Sequence, residues 1–374
     1  MKEAIKIAGD ENHQELLTNL INFLLFFAIE LSLIFIPLLG AQMGASDFEI
    51  GLVGSAYGAA FLISSLFFGW RSDSFGRLPL VRCGLLLASL AFLSQLLAHS
   101  ILFLMLCRSF VGFTLGIVTA ALVAYVYETF GHLGKFSSYG SLGWIAGSLT
   151  AGLLKEYHLL FLLSCALCLL AFLISFRLEE AASQGGKSIP DFWRIIRYNS
   201  RVYIAIFLRH IGAAAVWIIL PLYLASLGAD KFWVGMLWSV NFGVQFIAMR
   251  YVERFDERKV FALGQIISIL VFLAYVFSTH YLQLIVVQVA LGLSWSCLYV
   301  GALIIVLNSG EEKGTASGIF QSTLNLCNVV GPFIGGAVAQ CWGYKGVMFF
   351  AALIGVAGLV TAIPGRGKLS KETV

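Results

Sequence analysis

The chain has 374 residues, of which 59% are hydrophobic and only 12% are charged, with a formal net charge of +4 and a mean hydropathy of +0.90. A soluble domain carries about 25% charged residues, so this composition excludes a soluble globular protein and predicts one that uses the lipid bilayer as its solvent. The continuous apolar runs also exclude a transmembrane β-barrel, whose strands alternate in polarity over about 10 residues.

Apolar stretches recur along the whole chain. A helix needs about 20 residues to cross the hydrocarbon, and we expect twelve such spans. They lie at 17–41, 48–70, 79–98, 101–126, 137–154, 157–177, 202–226, 232–251, 260–279, 282–306, 315–341 and 346–364. The segment before the first apolar run is polar and lacks the basic start of a signal peptide, so the first apolar run is predicted to remain as a span.

The lysines and arginines predict the orientation of these spans. Of the 24, 19 lie in segments on the side of the N-terminus, three lie in segments on the opposite side and two lie inside spans. By the positive-inside rule, both termini are predicted to be cytoplasmic, and we expect a multi-pass protein of the plasma membrane. Below, the face predicted to be cytoplasmic is called the inner face and the opposite one the outer face.

The two halves of the chain repeat one pattern. A single constant shift along the sequence brings Pro37 onto Pro221 and Gly51 onto Gly235. A polar segment divides the chain into an N-terminal six-helix bundle, a cytoplasmic linker and a C-terminal six-helix bundle, at 1–178, 179–200 and 201–374. Because six is an even number, the halves share one orientation. Parallel repeats with a site at their interface are typical of secondary transporters.

Glu30 lies well inside the first span, about 20 Å deep at a rise of about 1.5 Å per residue. A carboxylate at that depth costs roughly 2.5–3.5 kcal/mol, so it must be protonated, paired or hydrated. Two interpretations stay open. Glu30 carries a proton, with Arg108 of the fourth span favouring its charged form, or it forms a static pair with Arg108 or Arg209.

Other polar and aromatic side chains follow helical spacing on spans expected to meet between the halves. Such groups in lipid often only join helices, but their clustering favours a substrate cavity. The candidates are Asn22, Phe26, Arg209, His210, Trp217, Asn241, Gln245, Trp295, Tyr299, Gln321 and Asn325.

A compact charged loop at 69–77 lies between the second and third spans. Gly69 and Gly76 allow a close approach and a sharp turn. Asp73 can face a helix N-terminus, where unpaired N–H groups favour an anion, and Arg77 can pair with Glu128 at the same face. Ordinary loop charges that hold the topology would also account for this pattern.

Three motifs resemble those of the major facilitator superfamily, in its twelve-helix proton-coupled antiporter branch. They are the loop Gly69-x-x-x-Asp73-x-x-Gly76-Arg77, the fourth-span Arg108-x-x-x-Gly112-x-x-x-Gly116 and the eleventh-span Gly331-Pro332-x-x-Gly335-Gly336. The Gly-Pro motif usually lies on the fifth span, which here has no proline. The resemblance covers the whole chain.

This resemblance implies an all-α membrane protein with twelve transmembrane helices in two parallel six-helix pseudo-repeats. It also implies alternating access by a rocker-switch motion. The loop at 69–77 would then be a cytoplasmic gate that latches the two halves together, with Asp73 meeting the start of the eleventh span near 314–316 and Arg77 meeting Glu128. Antiporters of this superfamily have a similar pairing of a first-span acid with the fourth-span arginine.

The sequence favours a proton-coupled exporter of small organic molecules, powered by the proton gradient. An uptake symporter for a polar or anionic metabolite stays open, with Arg108 and Arg209 as anion ligands. A membrane-embedded enzyme or receptor is disfavoured, because the sequence has no metal-ligand cluster, nucleophile–base set or phosphate loop at a membrane face. We expect no enzymatic activity, no metal or other cofactor and no nucleic-acid partner. The expected partners are the bilayer and a small substrate, and the expected oligomeric state is a monomer.

Overall fold

The computed structural model describes residues 2–130, 134–180, 192–309 and 313–362, with the side chains of 2–11, 70, 72–75, 192 and 314 left out. Regular structure in these ranges is helical. The helices are α1 (Lys2–Leu33), α2 (Ile36–Gln42), α3 (Asp47–Phe75), α4 (Arg77–Ser94), α5 (Ile101–Phe130), α6 (Gly134–Leu154), α7 (Tyr157–Ser175), α8 (Phe192–Ser226), α9 (Lys231–Val252), α10 (Glu257–Phe277), α11 (Leu284–Leu307) and α12 (Lys313–Ala362), with short 3₁₀ turns at Gln95–Leu97 and Tyr281–Gln283.

Ten helical stretches of the described residues are long and apolar enough to cross a membrane. One of them, α12, contains two of the predicted spans, which meet at Gly343 with φ 69° and ψ 178°. The glycine- and serine-rich α6 has 21 residues, enough to span as well. The predicted all-helical membrane fold is confirmed, and the helices are consistent with twelve spans.

The two halves begin their second span in the same way. Ser46 and Glu49 cap α3 reciprocally, through backbone N–H bonds of 3.3 Å to Ser46 Oγ and 2.8 Å to Glu49 Oε2, which is a capping box. Asp230, which the repeat places at the position of Ser46, caps α9 by accepting the backbone N–H of Trp233 at 3.1 Å. The turns before them contain Gly44 and Gly228, with φ of 83° and 91°. The sequence repeat is therefore also a repeat of local structure.

The start of the segment predicted as the linker is fixed to the N-terminal half. Gln14 Nε2 donates to Arg177 O and Gln14 Oε1 accepts from Glu179 N, both at 3.2 Å. Tyr125 Oη donates to Glu179 O at 2.8 Å. Helix α8 begins at Phe192, which lies within the segment 179–200, and residues 181–191 lie outside the described ranges.

Each half packs its own apolar core, and a third cluster joins them. One core contains Leu25, Leu85 and Val118 of the first half. Leu31 of the first half and Ile219 of the second half both belong to the cluster that joins the halves. The principal contacts between the halves are α3 against α12 and α6 against α9.

Candidate substrate and coupling site

The outer ends of α3 and α12 approach so closely that their backbones touch. A Cβ atom added to Gly51 would lie 2.5 Å from the carbonyl oxygen of Pro332 and 2.8 Å from Gly336 Cα. Ser55 Oγ donates to Val329 O across the same contact at 2.8 Å. This separation requires a residue without a side chain at position 51.

Helices α6 and α9 make the equivalent contact on the other side of the molecule. A Cβ atom added to Gly235 would lie 2.5 Å from Ser148 O and 2.8 Å from Gly152 Cα. The hydroxyls of Ser148 and Ser239 lie 2.8 Å apart and share a hydrogen bond. Gly51 and Gly235 are one of the pairs related by the sequence repeat, so the repeat supplies both contacts that close the outer side.

A charged contact also joins the halves at the outer face. Lys155 Nζ lies 2.6 Å from Asp230 Oδ2, and Lys231 Nζ donates to Lys155 O at 2.6 Å. Lys155 has a φ of 61°, which is uncommon for a residue other than glycine. The hydrogen bond from Lys155 lowers the pKa of the Asp230 carboxyl from its ordinary value. The charged contact therefore stays ionised at neutral pH and does not itself sense protons.

Replacing Asp230 by asparagine keeps the helix cap but removes the ion pair. Exposed pairs contribute about 0–1 kcal/mol, so we expect the population of the outer-closed state to fall by at most about fivefold. A carboxyl group whose pKa is lowered by a contact stabilises that contact at pH values above its ordinary pKa. This stabilisation is lost only as the pH falls through the lowered pKa. The wild type is therefore expected to keep this contribution from about pH 8 to about pH 5.

The measurement is the distance between nitroxide labels at Ser100 and Thr279, exposed residues on the two halves at the outer face. A population shift above about tenfold in Asp230→Asn would contradict the prediction. So would a loss of the wild-type distance between about pH 8 and about pH 5.

The inner halves of the helices leave space between the bundles. A Cβ atom added to Gly243 of α9 or Gly318 of α12 would meet no atom within 4 Å. Gln321, one turn after Gly318, is exposed. A polar side chain inside a span faces a water-filled space rather than lipid. The contacts between the halves therefore close the outer face, while the inner halves of α9 and α12 are unpacked at Gly243 and Gly318.

Glu30 on α1 is 3% exposed and is the one acidic residue among the buried residues that the structure describes. It packs on α6, where a Cβ atom added to Gly147 would lie 2.5 Å from Glu30 Cβ and 2.9 Å from Glu30 Cγ. The glycine thus makes room for a carboxyl group between two helices of the first half.

The static pair between Glu30 and an arginine does not form among the described residues, and both arginines have other neighbours. Arg108 Nη1 donates to Ser32 Oγ at 2.9 Å and to Gln95 Oε1 at 3.2 Å, and its guanidinium lies 4.6 Å from the centre of the Tyr57 ring. Arg209 lies in the second half. Helical rise gives the depth of a residue but not the direction of its side chain, so depth alone did not decide between a static pair and a proton carrier.

Arg209 on α8 has an exposure of 0%. Its Nε donates to Ser268 Oγ at 2.7 Å. The guanidinium carbon lies 5.4 Å from the centre of the Trp295 ring and 5.7 Å from that of Phe272. Two aromatic faces therefore provide most of the surroundings of this charge.

The predicted aromatic residues of the second half form one cluster. His210 stacks on Trp295 with ring centres 4.9 Å apart and meets the Trp217 ring at 5.1 Å. Tyr299 lies 5.6 Å from Trp295. We call His210, Trp217, Trp295 and Tyr299 the C-half aromatic cluster. All but His210 are partly exposed, so the cluster has surface available to a ligand.

The candidates of the first half lie on the other side of the space. Asn22 Nδ2 donates to Phe136 O at 2.7 Å, which gives this amide a structural partner. Phe26 lies 5.7 Å from Trp144, which lies 5.4 Å from Phe242 of the second half. These rings bridge the halves between α6 and α9.

The predicted amides divide between two helices. On α9, Asn241 Nδ2 donates to Gln288 O at 3.3 Å, and Gln245 donates to the side chain of Asn241. On α12, Gln321 Nε2 donates to Asn325 Oδ1 at 3.4 Å. The amides bond within each helix or to backbone, and the structure shows no contact between the two groups in its described part.

A profile of the Major Facilitator Superfamily matches this chain at residues 18–247 and 202–373. The chain belongs to this superfamily. It is therefore a multi-pass membrane transporter and not an enzyme, as the sequence motifs predicted.

Curated relatives and solved structures agree with this assignment. The chain is 22% identical over 379 residues to the quinolone resistance protein NorA of Staphylococcus aureus, covering 94% of this chain and 97% of the relative. It is 24% identical to the multidrug resistance protein MdtG of Salmonella dublin, covering 88% and 89%. The nucleoside transporter NupG superposes with a TM-score of 0.77 at 15% identity, covering 93% and 98%. The human organic anion transporter MFSD10 gives 0.72 at 15% identity, covering 94% and 99%.

The signature loop of this transporter forms the ion pair that its sequence predicts. Arg77 Nη2 lies 2.6 Å from Glu128 Oε1 and Arg77 Nε donates to Glu128 Oε2 at 3.0 Å. Gly76 has a φ of 84°, which favours glycine. Gly69 packs near Ala120, whose Cβ would lie 3.7 Å from an added Cβ. The side chain of Asp73 lies outside the described residues, so its predicted contact with the start of the eleventh span near 314–316 stays a prediction.

Sequence reasoning missed three features of this transporter. Glu180 Oε1 accepts the backbone N–H of Arg77 at 2.9 Å, so the first linker residues cap α4. Trp144 and Phe242 bridge the halves. In the sequence, they could have been noticed only by position, because Trp144 lies one turn before Ser148 and Phe242 directly follows Asn241. The Lys155–Asp230 pair had no signal beyond two charges at span ends.

Proposed function

We propose that this transporter exports small organic molecules in exchange for protons, by a rocker-switch motion of its two halves. The observation that carries the proposal is a single buried carboxyl, Glu30, which packs between α1 and α6 at membrane depth and has no ion-pair partner among the described residues. An ionisable group at membrane depth is typical of proton relays. The names of NorA and MdtG, both resistance proteins, support export.

In this proposal Glu30 carries the proton and Arg108 assists. Arg108 is bonded to Ser32, two residues from Glu30 on α1. A small rotation of α1 would change the distance between the two charges, and therefore the affinity of Glu30 for a proton. Proton binding and the position of the halves become linked through this helix.

The substrate enters from the inner face and lies between Phe26 of the first half and the C-half aromatic cluster. The amides of Asn241, Gln245, Gln321 and Asn325 and the side chains of Asn22 and Arg209 provide polar contacts. Both termini are cytoplasmic, the membrane is the plasma membrane, and the transporter works as a monomer with the proton gradient as its energy source and no cofactor.

The loop at 69–77 acts as the cytoplasmic gate when the outer side opens. Gly69 and Gly76 shape it, Arg77 and Glu128 hold it against the fourth span, and Asp73 faces the start of α12. The ion pair of Arg77 and Glu128 lies within the first half, so it can remain formed in both states while the contact of Asp73 is made and broken.

The test is transport into proteoliposomes with imposed pH gradients of either sign. An antiporter loads substrate into vesicles that are acidic inside, because protons leave as substrate enters, whatever the orientation of the protein. We expect accumulation of a membrane-impermeant dye such as ethidium in that gradient, with none in protein-free vesicles and none after nigericin. Accumulation only in vesicles acidic outside would contradict export by exchange.

That opposite result is expected for the second candidate, an uptake symporter for a polar or anionic metabolite. Its support is the Arg209 guanidinium, whose Nη1 and Nη2 atoms are buried and have no hydrogen-bond partner among the described residues. The same two gradients, applied with an impermeant organic anion, distinguish the two candidates.

A further inference from the structure

The interior of the second half contains several buried hydrogen-bonding atoms that have no partner in the part of the chain that the structure describes. They include Nη1 and Nη2 of Arg209, Nδ1 of His210 and Nε1 of Trp217. Buried polar groups are normally hydrogen-bonded, and leaving a charged donor unpaired is costly. These three side chains belong to one helix and meet around Trp295. Buried polar atoms without a partner also occur on other described residues, namely Asn19, Tyr157, Gln265, Tyr275 and Gln288. The group around Trp295 differs from them because it contains a charged guanidinium, and this points to a ligand.

The missing partner is an acceptor, and a negatively charged acceptor would pair best with the Arg209 guanidinium. Arg209 and Trp217 can only donate through these atoms. The described acidic residues of the second half, Asp230, Glu253 and Glu257 among them, lie at the ends of α9 and α10 and not inside the bundle. No acidic residue of the second half that the structure describes therefore provides a countercharge to Arg209.

The surroundings of Arg209 also select an aromatic ligand. Trp295 contacts the buried guanidinium at 5.4 Å and is itself partly exposed. Tyr299 lies beside it, at 5.6 Å. Planar rings that are open on one side offer stacking to another ring. A ligand that stacks on Trp295 brings a substituent on its edge towards Arg209.

We propose that Arg209 and the C-half aromatic cluster form a subsite for an aromatic ring that bears a carboxylate. The ring stacks on Trp295 and Tyr299, and the carboxylate accepts hydrogen bonds from the two η nitrogens of Arg209 and from Trp217 Nε1. A planar guanidinium matches a carboxylate through two parallel bonds. Since Arg209 is fully buried, the Trp295 ring must shift as the ligand enters, and it stacks on the ligand from its shifted position. This names a substrate class for the transporter and rests on the proposed function only for the direction in which that substrate moves.

Calorimetric titration of the purified full-length protein with 2-naphthoate and 2-naphthamide tests the subsite. The two probes share a ring and differ in charge. We expect naphthoate to bind about tenfold or more tightly than naphthamide, the ratio expected for a hydrogen bond to a charged group. Equal affinities in the wild type would overturn the proposal, whatever the variants do.

Variants show which residue is responsible for the preference for naphthoate. Arg209→Gln is expected to remove the preference for naphthoate, and Arg209→Lys to keep part of it. The matched control is Arg250→Gln, because Arg250 also lies over a ring, 4.1 Å from the centre of Phe246, but is exposed. The control should retain the full preference. An Arg209→Gln protein that elutes as a folded monodisperse species and still prefers naphthoate would overturn the proposal.

Binding at equilibrium needs no proton gradient, so the two proposals fail separately. Naphthoate preference that depends on Arg209, together with no transport in the acidic-inside vesicles, would reject proton exchange and leave the subsite standing. Ethidium transport in those vesicles with no naphthoate preference would reject the subsite and leave proton-coupled export standing.

Discussion

Alanine at Gly51 or at Gly235 is expected to open the outer side of the transporter. At either position the new Cβ atom would lie 2.5 Å from a carbonyl oxygen and 2.8 Å from a glycine Cα of the opposing helix. These are backbone atoms, which cannot move aside as a side chain can. Overpacking typically costs about 1–3 kcal/mol, which lowers the population of the outer-closed state by about 5- to 150-fold.

The control is on the same helix as Gly235. Alanine at Gly243 of α9 adds the same methyl group where no atom lies within 4 Å. The labels at Ser100 and Thr279 serve here too, in a protein whose exposed cysteines, Cys83 and Cys341, have been replaced. We expect longer distances in both test variants and the wild-type distance in Gly243→Ala. Unchanged distances in both test variants would show that the glycine contacts do not hold the outer side closed.

The architecture was predictable because the bilayer restricts what a spanning chain can do. Backbone groups in hydrocarbon must bond within a helix, so the apolar runs of this chain had to be helices. The repeat then related Gly51 to Gly235 and Ser55 to Ser239, and the structure places both pairs at contacts between the halves. What sequence periodicity did not provide was the neighbour of each residue across the bundle.

The site residues lie where the repeat is broken. Glu30 packs on Gly147, and at the corresponding place in the second half Ala214 packs on Gly331 in the same way. Arg209 corresponds by the same shift to Leu25, a core residue of the first half. The two halves thus share a scaffold but differ in charge at corresponding places. This places the acid and the buried arginine in different halves, and the sequence alone left open whether they form a pair.

The ion pair of Arg77 and Glu128 was within reach of the sequence because both residues end adjacent spans at one face. The contact between Glu180 and Arg77 could not be predicted from the sequence, because a linker residue can reach many helix ends. Trp144 and Phe242 lie on spans whose rotation decides whether a ring faces lipid or the other half. Rotation depends on the packing of all neighbouring helices, and a single sequence with weak amphipathicity does not determine it.

Glutamine at Glu30 is expected to abolish accumulation driven by a pH gradient, down to the level of protein-free vesicles. Glutamine has nearly the shape of glutamate, so the packing on Gly147 and the fold are retained while the exchangeable proton is lost. Exchange of labelled for unlabelled substrate without a gradient needs the motion of the halves but no proton. It should therefore continue in Glu30→Gln, which separates loss of coupling from loss of folding.

The matched control is Glu253→Gln, which removes an exposed carboxyl at the end of α9 and should accumulate substrate as the wild type does. Aspartate at Glu30 keeps the acid on a shorter side chain and should retain part of the activity. A Glu30→Gln protein that still accumulates substrate against a gradient would assign the proton to another group. Glu30 is the one buried carboxyl of the described chain, so that group would have to be a base or lie at a span end. The coupling route would then run through the C-terminal half or the loops rather than through α1.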